Sequence, residues 1–238
     1  MTSEEHKAAT VHTYFEAIAF RYDLMNALLS FGLYHFWKRS AMGMAGLKEG
    51  DAVIDVCGGT AELSLLAARA VGRAGRVVLY DFSLEMIRVG KQKAARTPFA
   101  PLISCVRGDA QHIAAGDRTF DAAVIGFGLR NLTDMEQGLR EINRVLKPGG
   151  RLMCFEFSQP VSPLFRWLYD IYSFVVIPIA GKIITGAKDA YTYLPESIRG
   201  FPLPEELSAI IARAGFRNVS YERLMNGIAA VHVGEKAA

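Results

Sequence analysis

Asp55-Val56-Cys57-Gly58-Gly59-Thr60 follows the apolar run Ala52-Val53-Ile54 and decides how this chain is read. An apolar run that ends in glycines is a buried strand leading into a loop whose backbone can approach a ligand. Outward from that loop the pattern alternates. Glu62 to Ala70 reads as a helix ended by Gly72, and Arg76 to Asp81 as a second strand. Leu84 to Ala95 is the next helix, and Leu102 to Arg107 a third strand. Phe120 to Gly126 is a fourth strand, followed by a helix from Met135 to Leu146. Lys147-Pro148-Gly149-Gly150 stops that helix, because Pro cannot continue it and Gly caps it. Arg151 to Ser158 is a fifth strand. Short apolar strands alternating with helices predict an α/β fold with a parallel sheet covered on both faces. Further on, Glu205 to Ala214 reads as a helix, then Asn218 to Leu224 and Ile228 to Gly234 as an antiparallel pair around Asn226-Gly227. Upstream, Val11 to Leu47 looks helical, with Phe15, Ile18, Ala19 and Tyr22 at helical spacing.

Composition narrows the function. Of 238 residues 51% are hydrophobic, enough for a full core without disulfides. A net charge of +3 is too mild to imply nucleic acid as a partner. Cys57, Cys105 and Cys154 are widely spaced and form no Cys-x-x-Cys pair, so no metal site is expected and a reducing cytoplasm is the simplest location. The polar stretch from Met1 to Thr10 does not read as a signal peptide. Leu164 to Gly186 is strongly apolar, but its longest uncharged run, Ile171 to Gly181, falls short of the roughly 20 residues of a spanning helix. Pro178 also interrupts it. It reads as a buried helix, an apolar lid, or a lipid-facing surface.

The chemistry gathers beyond the carboxyl ends of the strands, where open parallel sheets bind ligands. Asp81, which precedes Phe82, ends the second strand and is placed to accept two hydrogen bonds from a ribose diol. Asp109 follows the third strand. It either accepts from an adenine amino group, with Ala110 offering its N–H, or caps a helix. The dinucleotide pattern Gly-x-Gly-x-x-Gly is not met over Gly58 to Leu63. Asp55 beside the loop repels phosphate and suits a ligand carrying an ammonium and a sulfonium. These acids and glycines therefore point to S-adenosylmethionine. Cys57 reads as a small buried strand residue rather than a nucleophile.

Longer strings carry a resemblance. Phe15-Glu16-Ala17-Ile18-Ala19-Phe20-Arg21-Tyr22-Asp23-Leu24-Met25-Asn26, Leu29-Ser30-Phe31-Gly32, Trp37-Lys38-Arg39, Phe127-Gly128-Leu129-Arg130-Asn131, Arg144 to Gly150 and Tyr193 to Ile198 resemble the ubiquinone/menaquinone biosynthesis C-methyltransferases, from about His12 to Gly234. The resemblance implies a Rossmann-like class I methyltransferase with a seven-stranded, mostly parallel sheet. It implies one domain over 1–238, with a helical cap at 1–47, a cofactor-binding core at 48–158, an apolar lid insertion at 159–200, and a C-terminal helix and strands at 201–238. It implies methylation of a ring carbon of a prenylated quinol. It carries cofactor contacts onto Thr60, Asp81, Asp109 and Ala110, with Tyr22 closing over the methionine part; Asp55, Gly58, Phe82 and Gly126 join the set by position. This chain has Ala61 where the family usually has a third glycine, Glu62 for Asp, and Gly126 for the Ser that commonly precedes Phe-Gly-Leu-Arg-Asn.

A ring carbon is a poor nucleophile until a neighbouring phenol loses its proton. Arg130, Asn131 and Tyr22 are the candidate catalytic residues. Arg130 either holds the phenolate or orients a water, unless it forms a structural ion pair; a guanidinium is not itself a base. Asp23 is expected only to cap a turn. Tyr191, Tyr193 and Glu196 either line the quinol pocket or pack. A cytoplasmic enzyme touching the inner face of the membrane is expected, and a homodimer is left open. The competing readings are a methyltransferase of a small soluble phenol or amine, a non-catalytic binding subunit, and a nicotinamide-dependent dehydrogenase.

Overall fold

The computed structural model describes residues 3–185 and 188–237, so Gly186 at the end of the apolar stretch lies outside the described residues. Seven strands form one sheet: β1 (Ala52–Val56), β2 (Arg76–Asp81), β3 (Ile103–Arg107), β4 (Phe120–Gly126), β5 (Leu146–Phe157), β6 (Phe216–Leu224) and β7 (Ala229–Lys236). Their order is β3-β2-β1-β4-β5-β7-β6. The first five are parallel, and β7 runs antiparallel between β5 and β6. Every residue of β1 is buried, as a central strand covered on both faces requires. The strand order reverses between β1 and β4, which opens a crevice at their carboxyl ends.

Two apolar layers fix the sheet. On one face, α6 (Met135–Val145) and α10 (Pro204–Arg213) bury Leu139, Ile142, Leu207 and Ile211. On the other, α4 (Glu62–Val71) buries Leu63, Ala67 and Val71. There it is joined by α3 (Leu33–Met44), through Trp37, Ala41 and Met42. Each fully buried Leu or Ile contributes about 1.5–3 kcal/mol. The position of α3 divides the segment expected as a cap over 1–47. α1 (Ser3–Ile18) and α2 (Tyr22–Leu29) lie over the crevice, whereas α3 is a covering helix of the sheet. α5 (Leu84–Ala94) packs Ile87 against Leu79 of β2.

β5 begins at Leu146, five residues before the strand expected from the sequence. Phe120 pairs with Leu146 and Ala122 with Arg151, so Lys147 to Gly150 loop out of an otherwise continuous ladder. Pro148 has no N–H to give the ladder, and Gly149 takes φ +73°.

The apolar stretch folds as α7 (Pro163–Ile171), one π turn (Tyr172–Val176) and α8 (Ile177–Thr185), followed by α9 (Lys188–Arg199). Pro178 does not interrupt it, because the π turn just upstream absorbs the missing donor. The stretch is also not a buried helix: its outer face is exposed from Leu164 to Ile183. Only its inner side packs, with Ile177 meeting Ile18, Met25, Ala190 and Tyr191. α1, α2, α8 and α9 thus make one helical layer.

The loops after β1 and β4 touch. A Cβ on Gly128 would lie 2.4 Å from Cys57 Cβ, whereas one on Gly43 in α3 would meet nothing within 4 Å. Gly128→Ala should therefore lower stability by about 1–3 kcal/mol. Gly43→Ala should be neutral or stabilising by up to about 1 kcal/mol. Thermal unfolding of both variants checks the contact, and equal losses would contradict it.

Candidate active site

A cavity opens at the carboxyl ends of β1 to β4, roofed by α1 and α2. All nine residues expected at the cofactor, Tyr22, Asp55, Gly58, Thr60, Asp81, Phe82, Asp109, Ala110 and Gly126, line it. Asp81 is held by backbone: Oδ2 accepts from Gly59 N–H and Oδ1 from Ser83 N–H, both at 2.8 Å. Each oxygen keeps a lone pair for a further donor. Burial pushes the Asp81 carboxyl up, and those amides oppose it. Asp109 Oδ1 accepts from Gln111 N–H at 2.9 Å, a local turn rather than a helix cap.

Asp55 is fully buried in the cavity wall. Its Oδ2 accepts from Ser64 Oγ at 2.6 Å, while Oδ1 has no partner among the described residues. Burial pushes its carboxyl up to about 7, against the Ser64 hydrogen bond. A Cβ on Gly58 would come within 2.9 Å of Leu79 and 3.0 Å of Asp55, so only glycine leaves the loop beside that carboxylate. Ala61 is left-handed at φ +68°, the conformation the family's glycine would take without strain. Gly126 also has a local reason. The space a side chain would enter is filled by Leu63 Cδ1, 2.5 Å from an ideal Cβ.

The structure corrects the expectation for Asp23. It does not merely cap a turn: its Oδ1 accepts from Thr60 Oγ1 at 2.6 Å, and its Oδ2 pairs with Lys93 of α5. Thr60 thus spends its hydroxyl proton on the helical layer. Lys93 also pairs with Glu62 at 2.6 Å, and Lys38 of α3 pairs with Glu62 from the other side. Burial pushes the Glu62 carboxyl up, but the two lysines overcome this and hold it at about 2. The sequence gives no spacing that joins these four charged residues. The one signal is Glu62 itself, a longer acid than the usual Asp, placed between two lysines.

A second, smaller cavity adjoins the first. Tyr22, Phe15, Phe127 and Asn131 border both. Its remaining wall is largely aromatic and aliphatic, with Tyr14, Ile18, Phe157, Tyr191, Tyr193 and Leu194 beside Arg130. Arg130 is therefore not on the cofactor cavity but on this one. It does form the ion pair weighed above, with Glu156 of β5 at 2.6 Å, both side chains buried. Its Nη1 also donates to Phe127 O at 2.7 Å, and the guanidinium lies 5.8 and 5.5 Å from the rings of Phe127 and Phe157. Its Nε–H has no partner among the described residues. Burial pushes the Glu156 carboxyl up and Arg130 opposes it. Glu156 escaped sequence reasoning because nothing in a strand's pattern marks a buried acid as a partner. Asn131 donates from Nδ2 to Phe127 O at 3.1 Å and accepts from Tyr193 Oη at 3.2 Å, tying α9 to the β4 rim. Tyr191 and Tyr193 line the second cavity; Glu196 does not, and lies on an outer groove with Thr133 and Met135.

The fold is shared by solved structures of low sequence identity. The [4+2]-cyclase SpnF matches with a TM-score of 0.71 at 16% identity, over 96% of this chain and 95% of that one. A SAM-dependent methyltransferase of Thermotoga maritima, described as a possible histamine N-methyltransferase, matches with a TM-score of 0.66 at 18% identity, over 95% and 99%. Sequence relatives are nearer. A ubiquinone/menaquinone biosynthesis C-methyltransferase UbiE of Azotobacter vinelandii is 44% identical over 233 residues, covering 98% of this chain and 92% of the relative. That of Haemophilus ducreyi is 42% identical over 234 residues, covering 98% and 90%. The sequence profile of the ubiE/COQ5 methyltransferase family matches residues 1–236, and this chain belongs to that family.

Proposed function

We propose that this protein transfers the methyl group of S-adenosylmethionine to a ring carbon of a prenylated quinol. The observation that carries the reading is an aromatic cavity that shares Tyr22, Phe127 and Asn131 with the cofactor cavity and has in its wall the buried Arg130, whose Nε–H has no partner among the described residues. Buried donors are nearly always satisfied, so an unpaired one on a residue of the cavity wall marks that residue as a partner for a ligand oxygen. The cofactor cavity fits the proposed cofactor on its own evidence. Asp55 presents an unpaired buried oxygen for a cationic end, and Asp81 presents two backbone-anchored oxygens for a diol. A buried carboxylate at Asp55 is a poor neighbour for the pyrophosphate of a dinucleotide.

S-adenosylmethionine supplies an electrophilic methyl group on a sulfonium. The protein's part is to align and exclude water. Asp81 holds the ribose, Asp55 the ammonium end, and Asp109 with Ala110 the adenine. Arg130 donates to the phenol oxygen, which favours its deprotonated form and raises electron density on the adjacent ring carbon. The phenol proton leaves to solvent as the ring binds; the carbon would take the methyl as the methyl–sulfur bond breaks to leave a neutral thioether, and its C–H proton then returns to the ring oxygen, which restores the aromatic ring. Glu156 keeps the guanidinium charged and oriented. Tyr22 stands between the two cavities, and Phe127 and Phe157 wall the ring off from water. The aromatic second cavity favours a greasy quinol over a small soluble phenol or amine. On this reading the enzyme is cytoplasmic and meets its substrate at the inner face of the membrane.

Two tests follow the division of labour. Arg130→Lys keeps a charge for Glu156 but loses the planar fork. It should lower turnover on a quinol on the order of 10²-fold and leave S-adenosylhomocysteine affinity within about threefold. Asp81→Asn should do the reverse, weakening that affinity by about 1.5–3 kcal/mol. Calorimetry beside single-turnover rates distinguishes them, and equal losses of cofactor affinity in both variants would remove the assignment.

The second test is pH. With its carboxyl near 7, Asp55 carries mostly a proton at pH 6, and a ligand ammonium placed beside it binds the ionised form. Affinity for S-adenosylhomocysteine should therefore rise from pH 6 to pH 8, with proton release on binding near pH 6.5. Asp55→Asn should flatten the profile. Calorimetry in buffers of differing ionisation enthalpy reads the proton directly, and proton uptake instead of release would reverse the sign.

A further inference from the structure

The helical layer over the second cavity has an outer side. Along the apolar stretch, Leu164, Trp167, Leu168, Ile171, Val175, Ile179 and Ile183 all lie exposed. Apart from the adjacent Trp167 and Leu168 they recur three or four residues apart, across the π turn from Tyr172 to Val176. This is one apolar face facing outward. α2 and its flanks carry a second stripe at the same spacing: Phe20 at 88% exposure, Leu24, Leu28, and Phe31 at 82%. The two stripes are welded together. Tyr172 Oη donates to Leu29 O at 2.7 Å, the rings of Phe31 and Tyr172 are 6.1 Å apart, and Arg21 donates to Ile184 O. Phe31 is held at φ +50°, an uncommon conformation for a bulky residue, with its ring outward. A contiguous apolar face of this extent marks an interaction surface.

Charge selects the occupant. Between Ala19 and Arg39 and between Val161 and Ile184, the acids are Asp23 and Asp170. Both are neutralised, by Lys93 and Arg199. Arg21, Arg39, Arg166 and Lys182 are exposed in the same segments, and no carboxylate pairs with them among the described residues. A second copy docked about a twofold axis would set this cationic rim against itself. An anionic surface satisfies it. We infer that the combined α2 and α7–α8 face docks in the plane of an anionic phospholipid bilayer. The helix from Pro163 to Ile184 is long enough to span, but Arg166, Asp170 and Lys182 punctuate it and its inner side is committed to α2 and α9. An apolar face with cationic flanks on a folded domain is the pattern of an interfacial helix. The second cavity lies under this face: α2 lines it with Tyr22 and Asn26, and α9, packed against α8, lines it with Ala190 and Tyr191. Docking therefore brings that cavity to the lipid, where a prenylated substrate resides. This last step rests on the quinol reading; the lipid contact does not.

The chain reports on its own docking. It has two tryptophans, Trp37 buried at 4% exposure and Trp167 on the face at 60%. Vesicles of phosphatidylcholine with phosphatidylglycerol should pull the protein down on sedimentation and shift Trp167 emission to the blue. Pure phosphatidylcholine should do so at least tenfold more weakly. The variant Phe31→Asn/Ile179→Ser/Ile183→Ser changes only exposed residues and keeps the reporter. It should lose vesicle binding at least tenfold while turning over a short-chain quinol in detergent at the parent rate. Vesicle binding unchanged in the variant would overturn the inference. So would no binding to anionic vesicles at all, or a dimer in solution that the variant dissolves without any vesicle binding. Failure of the quinol reading looks different: no methylation of quinol in detergent by the parent protein, with vesicle binding intact.

Discussion

Asp23 holds the helical layer onto the cofactor loop. One carboxylate takes the Thr60 hydroxyl and the Lys93 ammonium, and Lys93 passes the tie to Glu62 and so to Lys38. Residues of four helices, α2, α3, α4 and α5, are joined by this cluster at the mouth of the crevice. Half-buried charges this close are individually costly and become stable only as a set, because each acid has a cation within reach. Tyr22 follows from it. The residue beside Asp23 in sequence is carried to the wall between the two cavities by the same anchor.

Much of the sheet was legible because strands and loops have local causes. β2 and β4 lie where the apolar runs place them, at Arg76–Asp81 and Phe120–Gly126, and the loop from Asp55 to Thr60 leads out of β1. The rim acids were legible for the same reason, since the end of a parallel strand fixes the location of the next residue. What escaped was tertiary. Glu156 reads as an ordinary strand position until Arg130 is seen across from it, and Lys93 as a solvent-facing helix residue until α2 folds down. The apolar stretch was ambiguous by composition, because hydrophobicity does not say which side of a helix has company. Its stripe faces outward only because Tyr191, Met25 and Ile18 occupy the inner side.

Arg130 shows how a structural ion pair can sit in a cavity wall. Glu156 satisfies Nη1 and Phe127 O takes the same nitrogen, leaving Nε without a partner among the described residues. Removing the acid would leave a lone buried cation. Removing the arginine would leave a lone buried anion. Each partner is thus constrained by the other before any substrate is considered, and the guanidinium is already desolvated and fixed. Electrostatic help that needs no rearrangement at the moment of reaction is the kind that counts most.

Tyr22, Phe15, Phe127 and Asn131 belong to both cavities, and a common wall cannot serve two tenants independently. Any shift of these side chains that one ligand induces is felt by the other as a change in affinity, by the same factor in both directions. The spent cofactor and the methylated ring are likewise held by one partition, so the departure of either loosens the other. A wall stiffened to grip one ligand would therefore be stiffened for the other as well.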